Sequence, residues 1–330
     1  MNNLYTNNEY VDMFKKYDKV HLNTSFDMKS TNGFFKVISY LYSNGDNILL
    51  DYYRTKEVRD TINMSYSLLN YYHGIFYENI NLLEKGVSQF VEKSSYYDAV
   101  SLIIGLTIYD SELIRILEKN DFILKRCSTA MIKELNETDK QDISISLLKK
   151  KRDNFRNIRK RYQDQNVQCK VGKLDFETID NLFDETLKEK DPNRELIPKN
   201  FMNEIIKNLN VNIFVAEINQ KSIGVLIGIK QDEDYYILFS AHDGKSHLKT
   251  YYTSYALFEV AINYAANNEC KRVHAGRDPY LFKRNLGFKE IPIYWAGKGS
   301  SDIQQEKIYD WLTFLEKRHL TKYEKEFSKK

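Results

Sequence analysis

Tyr280-Leu281-Phe282-Lys283-Arg284-Asn285-Leu286-Gly287-Phe288 decides how the second half of this chain is read. Pro279 pre-sets a first helical turn, and good helix formers follow it. Gly287 takes a left-handed conformation at a helix end without steric cost. Phe288 then opens the strand-like run Lys289–Trp295. The passage is therefore helix, tight turn, strand. Glu118-Lys119-Asn120-Asp121-Phe122 repeats the pattern, with Asp121 at the place of Gly287. Aspartate tolerates the left-handed region better than most side chains. The echo is evidence of an internal duplication.

Reading outward from the motif, Lys271–Ala275 is a strand. A helix over roughly 248–267 precedes it, with Tyr251, Tyr255, Phe258 and Ile262 on one face. Three further strands, Val211–Ile218, Ser222–Lys230 and Asp234–His242, are joined by the turns Asn219-Gln220-Lys221 and Gln231–Glu233. Phe201–Leu209 reads as a short helix. Phe176–Lys190 has helical spacing at Phe176, Ile179, Leu182, Phe183 and Leu187, with Asp175 as its N-cap. Val167–Leu174 is a strand. The order is β-α-α-β-β-β-α-β-α-β. Its three-strand meander must be antiparallel, and the strand-helix-strand unit that follows must be parallel and right-handed. In the first half, strand Ala99–Ile108, helix Ser111–Lys119 and strand Phe122–Ile132 form a similar unit. From Asp302 onward, Ile303, Ile308, Trp311, Leu312 and Leu315 mark an amphipathic helix expected to pack on the body.

Composition narrows the class. The chain has 330 residues, 42% of them hydrophobic and 29% charged, which excludes disorder and fibrous repeats. A net charge of +3 is too small to mark the whole chain as a nucleic-acid binder. Cys127, Cys169 and Cys270 stand alone, without the spacing of a disulfide framework or a structural zinc site. No apolar run reaches the ~18–20 residues that span a bilayer. Met1-Asn2-Asn3-Leu4-Tyr5 lacks the layout of a secretion signal, so the expected compartment is the cytoplasm. The sharpest charge shift is Lys149–Arg161, without glycine or proline, read as a basic helix. The expected organisation is an N-terminal domain 1–148, a basic linking helix 149–166, a C-terminal domain 167–300 and a terminal amphipathic helix 301–330. No GxSxG elbow, P-loop, HExxH or GxGxxG is present.

This element order, with Tyr280–Phe288 at its end, resembles the GNAT acyltransferase superfamily, whose late helix-turn-strand motif reads x-x-Y-x-x-x-G-F. Two such halves joined by a basic helix resemble its FemAB-like, peptidoglycan-type branch, where a lysine often stands at the place of Lys283. The resemblance covers roughly residues 97–297. It implies an α/β (α+β) fold of tandem GNAT-like domains, each a mixed, mostly antiparallel, splayed sheet flanked by helices. The first would be degenerate and the second catalytic. It implies N-acyl transfer to an amine on a small molecule or peptide. The implied donor is an acyl-CoA, acetyl-CoA or acyl carrier protein thioester, and no metal is needed. Some members of the branch take an aminoacyl group from tRNA, which makes aminoacyl-tRNA the alternative donor. A non-catalytic peptide- or protein-binding module on the same scaffold is a third reading. Simpler members carry an Arg/Gln-x-x-Gly-x-Gly/Ala loop before the central helix. Here His242-Asp243-Gly244-Lys245-Ser246-His247-Leu248-Lys249-Thr250 holds one glycine, so a standard pyrophosphate loop is not evident.

Acyl transfer needs a grip on the donor, a donor group for the oxyanion and a base for the amine. A meander that leads into a parallel pair splays the sheet and exposes backbone groups in the gap. Gly244, Lys245, Ser246, Lys249 and Thr250 lie at that entrance, as a phosphate or pantetheine contact or as an ordinary solvated loop. His242 titrates in the range of a general base, and Asp243 would orient it or act through water; His247 is the other candidate base. His274, inside a central strand, reads as a hydrogen-bonded core histidine. Arg277 and Asp278 would bind the acceptor, or Asp278 would only cap the next helix. Tyr280 and Lys283 share one helix face. Tyr280 would protonate the leaving group or simply pack, and Lys283 would hold a phosphate or the acceptor. Cys270, before Lys271-Arg272, reads as a small buried strand-edge residue.

Overall fold

A computed structural model describes residues 22–23, 26–30, 33–37, 39–42, 61–65, 72–77, 79–190, 205–207, 209–244, 252–277 and 279–328. In chain order the elements are β1 (Leu22–Asn23), β2 (Phe26–Ser30), β3 (Gly33–Val37), β4 (Tyr40–Tyr42), β5 (Ile62–Ser65) and β6 (Ile75–Tyr77). Then come α1 (Ile80–Tyr96), β7 (Val100–Leu106), α2 (Ser111–Lys119) and β8 (Ile123–Glu134). The basic helix α3 (Lys149–Asp164) leads to β9 (Gln168–Val171) and α4 (Phe176–Lys190). The meander is β10 (Asn212–Ile218), β11 (Lys221–Gln231) and β12 (Asp234–His242). The chain ends with α5 (Thr253–Asn267), β13 (Arg272–His274), α6 (Tyr280–Asn285), β14 (Lys289–Lys298) and α7 (Asp302–Ser328). Two compact units are built from these elements: Met131–Glu290, and the described residues up to Ala130 together with those from Ile291.

Mixed sheets flanked by helices make up both units. In the unit of Met131–Glu290, the strand order is β8-β13-β12-β11-β10-β9. Every pair is antiparallel except β12 with β13. The parallel pair follows from α5, which carries the chain back to the start of β12. Alanines at 256, 261, 265 and 266 let α5 lie close to its neighbours, and Leu257, Phe258 and Ile262 are buried with them. Asp175 caps α4 as the sequence indicates, accepting the Thr178 N–H at 2.8 Å. The strand expected over Val167–Leu174 is only β9, and of the helix expected over Phe201–Leu209 the described turn is 205–207.

In the other unit, one sheet runs β1-β4-β5-β7-β14 and a second β2-β3-β6. Here β5 and β7 are the parallel pair. Their core gathers Leu83, Val87 and Phe90 of α1, Ile103 and Leu106 of β7, and Leu113, Ile116 and Leu117 of α2. Helix α7 buries Ile308, Trp311, Leu312 and Leu315, as its pattern requires. Ile303 departs from that expectation: it is 70% exposed, and in its turn Gln304 takes the buried position in line with Ile308 and Trp311.

Candidate active site

The parallel pair β12–β13 opens within a few residues. Its register is Asp234↔Arg272, Tyr235↔Val273 and Tyr236↔His274, and it stops there. Beyond that point Ala275 and Gly276 continue the pairing with β8 on the other edge, through Ala275 N–Met131 O and Met131 N–Gly276 O, both 2.9 Å. On its other edge β12 stays paired with β11 as far as Gly224↔His242. One extra residue, Leu238, interrupts that ladder between Ile227↔Phe239 and Gly228↔Ile237. A bulge bends and twists its strand. The bulge falls two residues after the last β13 partner, so β12 turns away where β13 leaves it. The expected splay is present.

The backbone at the end of β12 is largely taken up. Asp243 N–H reaches Ile223 O at 3.0 Å, on the β11 side. His242 faces the opposite edge. Its N–H donates to Thr186 Oγ1 at 2.9 Å, and its carbonyl lies 2.9 Å from the same hydroxyl, which also approaches Leu182 O at 2.9 Å. A side chain of α4 thus stands where a strand would. Gly244 N–H points to Glu185 Oε2 at 3.4 Å. Backbone groups alternate sides along an antiparallel ladder. Ser240, two residues before His242, therefore also turns its N–H and C=O toward the edge that β13 has left.

Helix α5 begins over one end of β11, at the residue that pairs with His242. Its N-cap Tyr252 is in the left-handed region (φ 52°), and Thr253 is fully buried. Gly224 makes the approach possible: a Cβ there would lie 2.5 Å from Thr253 Cγ2. Arg161 of the basic helix donates to Tyr252 Oη at 2.6 Å and lies over its ring. Two residues earlier Arg159 bonds Asp142 Oδ1 at 2.6 Å and Glu259 Oε1, and Tyr162 Oη bonds Glu259 Oε2. The Arg159 hydrogen bond holds Asp142 well below the usual carboxylate range. Burial and the Glu259 charge push the Tyr162 phenol up, and push the Cys169 thiol up to about 12. This network fastens α3 to α5. The outer face of α3 keeps Lys149, Lys150, Arg156, Lys160 and Arg161 exposed.

On the β13 side, Tyr280 opens α6 and is 3% exposed. Lys283, 4% exposed, turns inward and donates to Ala275 O at 2.6 Å and to Arg277 O. Its ammonium braces the loop that carries the half-buried Arg277. Phe282 packs on Tyr255 and Phe258 of α5. His242 is buried, and Asp243 and Gly244 are half-buried. Lys245, Ser246, His247, Lys249, Thr250 and Asp278 lie outside the described residues. His274 bonds Asp234 Oδ1 at 3.1 Å and stacks on Tyr236, as expected of a core histidine. Burial raises the Cys270 and Cys127 thiols, so neither has the character of a nucleophile.

Residues 149–284, which hold all of this arrangement but Met131 and Asp142, match the family described as "Acetyltransferase (GNAT) domain". The segment is a GNAT-type acyltransferase domain. The solved structures similar to the chain extend past this GNAT domain into the other unit. FemX matches with a TM-score of 0.60 and 11% identity, covering 89% of this chain and 92% of its own. L-PGS from Bacillus licheniformis matches at 0.61 and 10%, covering 94% and 96%. A protein from Agrobacterium fabrum, described as the C-terminal domain of a lysylphosphatidylglycerol synthetase, matches at 0.58 and 12%, covering 92% and 96%. At these identities the likeness is one of fold. No curated protein sequence matches the chain. Among the described residues no His, Cys, Asp and Glu cluster could hold a metal ion, and no helix is long and apolar enough to cross a membrane.

Sequence reasoning missed four contributors to the GNAT domain's edge. They are Thr186, Gly224, the bulged Leu238 and Ser240. Two of them left a trace. Gly224 is a glycine inside a strand, which signals close backbone approach. Thr186 is a polar residue on the apolar stripe of α4, three residues after Phe183. The bulge has no signature in the sequence.

Proposed function

We propose that the protein transfers an aminoacyl group from an aminoacyl-tRNA to an amine on a small molecule or peptide. The observation that carries the reading is the seam between α3 and α5. Arg161 is bonded to the head of α5, the helix that follows β12 and leads to β13, so the exposed cations of α3 run up to the start of that crossover. A row of exposed cations suits a long phosphate backbone, which binds by counterion release. A compact pyrophosphate is better served by a glycine-rich loop, and residues 242–252 contain one glycine. Further support comes from the names FemX and lysylphosphatidylglycerol synthetase among structures of the same fold. The second name speaks of a lysyl group, an aminoacyl group, on a phospholipid.

In this reading the ester carbonyl of the donor pairs with the Ser240 N–H, which steadies the oxyanion as the amine attacks. The new C–N bond forms and the ester C–O bond breaks. The amine proton passes to His242 or Asp243, and the departing ribose oxygen takes a proton from Tyr280. Lys283 holds the Ala275–Arg277 loop so that Arg277 meets the acceptor's carboxylate. Filter binding of charged tRNA at 50 and 200 mM salt tests the donor, paired with transfer assays using aminoacyl-tRNA and acetyl-CoA. Binding is expected to fall at least about tenfold across that interval, with product formed from the tRNA donor. Salt-insensitive binding, with product formed from acetyl-CoA alone, would contradict the reading.

A further inference from the structure

We propose that Thr186 is a specificity-determining residue: it limits the donor slot on β12 to a single rung and so keeps out a pantetheine arm. The inference rests on the aminoacyl-donor reading above and deepens it. Where β13 departs, β12 would offer two outward rungs, at Ser240 and at His242, about 7 Å apart along the strand. A pantetheine arm is an extended chain with two amides. Such a chain adds to a sheet edge as another strand would, and it needs successive rungs. Thr186 fills the His242 rung with its own hydroxyl, accepting from the N–H at 2.9 Å and facing the carbonyl at 2.9 Å.

Thr186 is 3% exposed, branched at Cβ and back-bonded to Leu182 O, so the hydroxyl is held in place. The neighbouring residue closes the path further. Glu185 receives the Gly244 N–H, and a pyrophosphate following the arm would meet that carboxylate. The remaining rung at Ser240 suits one carbonyl, as in an aminoacyl ester.

The test compares Thr186→Val, which removes the hydroxyl at nearly constant shape, with Thr186→Ser, which keeps it. Calorimetry with S-acetyl-pantetheine and acetyl-CoA should show about a tenfold gain in affinity for Thr186→Val over the wild type, and none for Thr186→Ser. Amide exchange at His242 should quicken in the valine variant alone. If that variant does not fold, Thr186→Ala is read in the same way. Equal affinity in wild type and valine variant, equal gains in both variants, or unchanged His242 exchange in a folded hydroxyl-free variant would overturn the proposal. The donor reading fails separately. A wild type that transfers no aminoacyl group, beside a valine variant that gains pantetheine binding, would sink that reading and leave the slot assignment standing.

Discussion

The turn Lys119–Phe122 and the turn Asn285–Phe288 have the same backbone and opposite chemistry. In the first, Phe122 N–H bonds Leu117 O and Asp121 N–H bonds Glu118 O; in the second, Phe288 N–H bonds Lys283 O and Gly287 N–H bonds Arg284 O, all at 3.1 Å. Asp121 (φ 61°) and Gly287 (φ 88°) take the same left-handed step. The pattern aligns Leu117, fully buried in an apolar core, with the buried Lys283. The loops entering the two helices differ to match. After β7, Asp110 accepts the Thr107 N–H at 2.7 Å and its hydroxyl at 2.9 Å. After β13, Lys283 donates to the carbonyls of Ala275 and Arg277. One loop is closed through its amide by an anion, the other through its carbonyls by a cation. A shared frame thus carries an apolar, structural version and a polar version, and the polar one is built on Lys283 of the GNAT domain.

Exchanging the aligned residues should break that comparison most severely. Leu117→Lys places an ammonium in a core with no carbonyls arranged for it, and should cost about 3–5 kcal/mol in a denaturant titration. Lys283→Leu should cost less, about 1–3 kcal/mol, since it leaves two carbonyls without their donor. It should also lower transfer about 10²-fold by releasing the Arg277 loop. Gly287→Ala comes next. Its Cβ would lie 2.8 Å from Leu147 Cδ2 at positive φ, so about 1–2 kcal/mol should be lost. Asp121→Gly, at the aligned step, should change stability by no more than about 0.5 kcal/mol.

Each unit also ties an aspartate to a histidine at 3.1 Å: His73–Asp110 and His274–Asp234. Burial opposes ionisation of both aspartates. At Asp110 the His73 charge and hydrogen bond with the Thr107 bonds outweigh it, and at Asp234 the bonds from His274 and Arg272 do. Both carboxyls are therefore lowered. Their stabilisation is present above the unfolded pKa of ~3.9 and lost as pH falls through the folded value. Melting temperature should hold from pH 7 to about 4 and then drop. Asp234→Asn and Asp110→Asn should each cost about 1 kcal/mol at pH 7 and flatten the drop below pH 4.

The order of elements in the GNAT domain was legible because period, length and turn residues all agreed at each step. The motif Tyr280–Phe288 was legible because Gly287 and the helix before it are local features. The splay itself followed from the forced parallel return of the strand after α5. What closes the splay was not legible. Thr186 lies 56 residues from His242, and nothing in either neighbourhood names the other. The inward turn of Lys283 was hidden for the same reason, because its partners are carbonyls, which every residue has. The region before residue 96 gave little at all. Its strands are short; β2 and β3 form a local hairpin, but β4 with β5 and β5 with β7 pair across longer stretches of chain.

The claim underneath all of this is that the donor's carbonyl pairs with β12 where β13 has left it. Resonance assignment of a ¹⁵N-labelled protein, titrated with a non-hydrolysable 3′-aminoacylamino-adenosine, tests it most directly. The account predicts that the Ser240 amide moves downfield and becomes protected from exchange, while the His242 amide, already bonded to Thr186, barely changes. Saturable binding of the analogue that leaves Ser240 unmoved would contradict it.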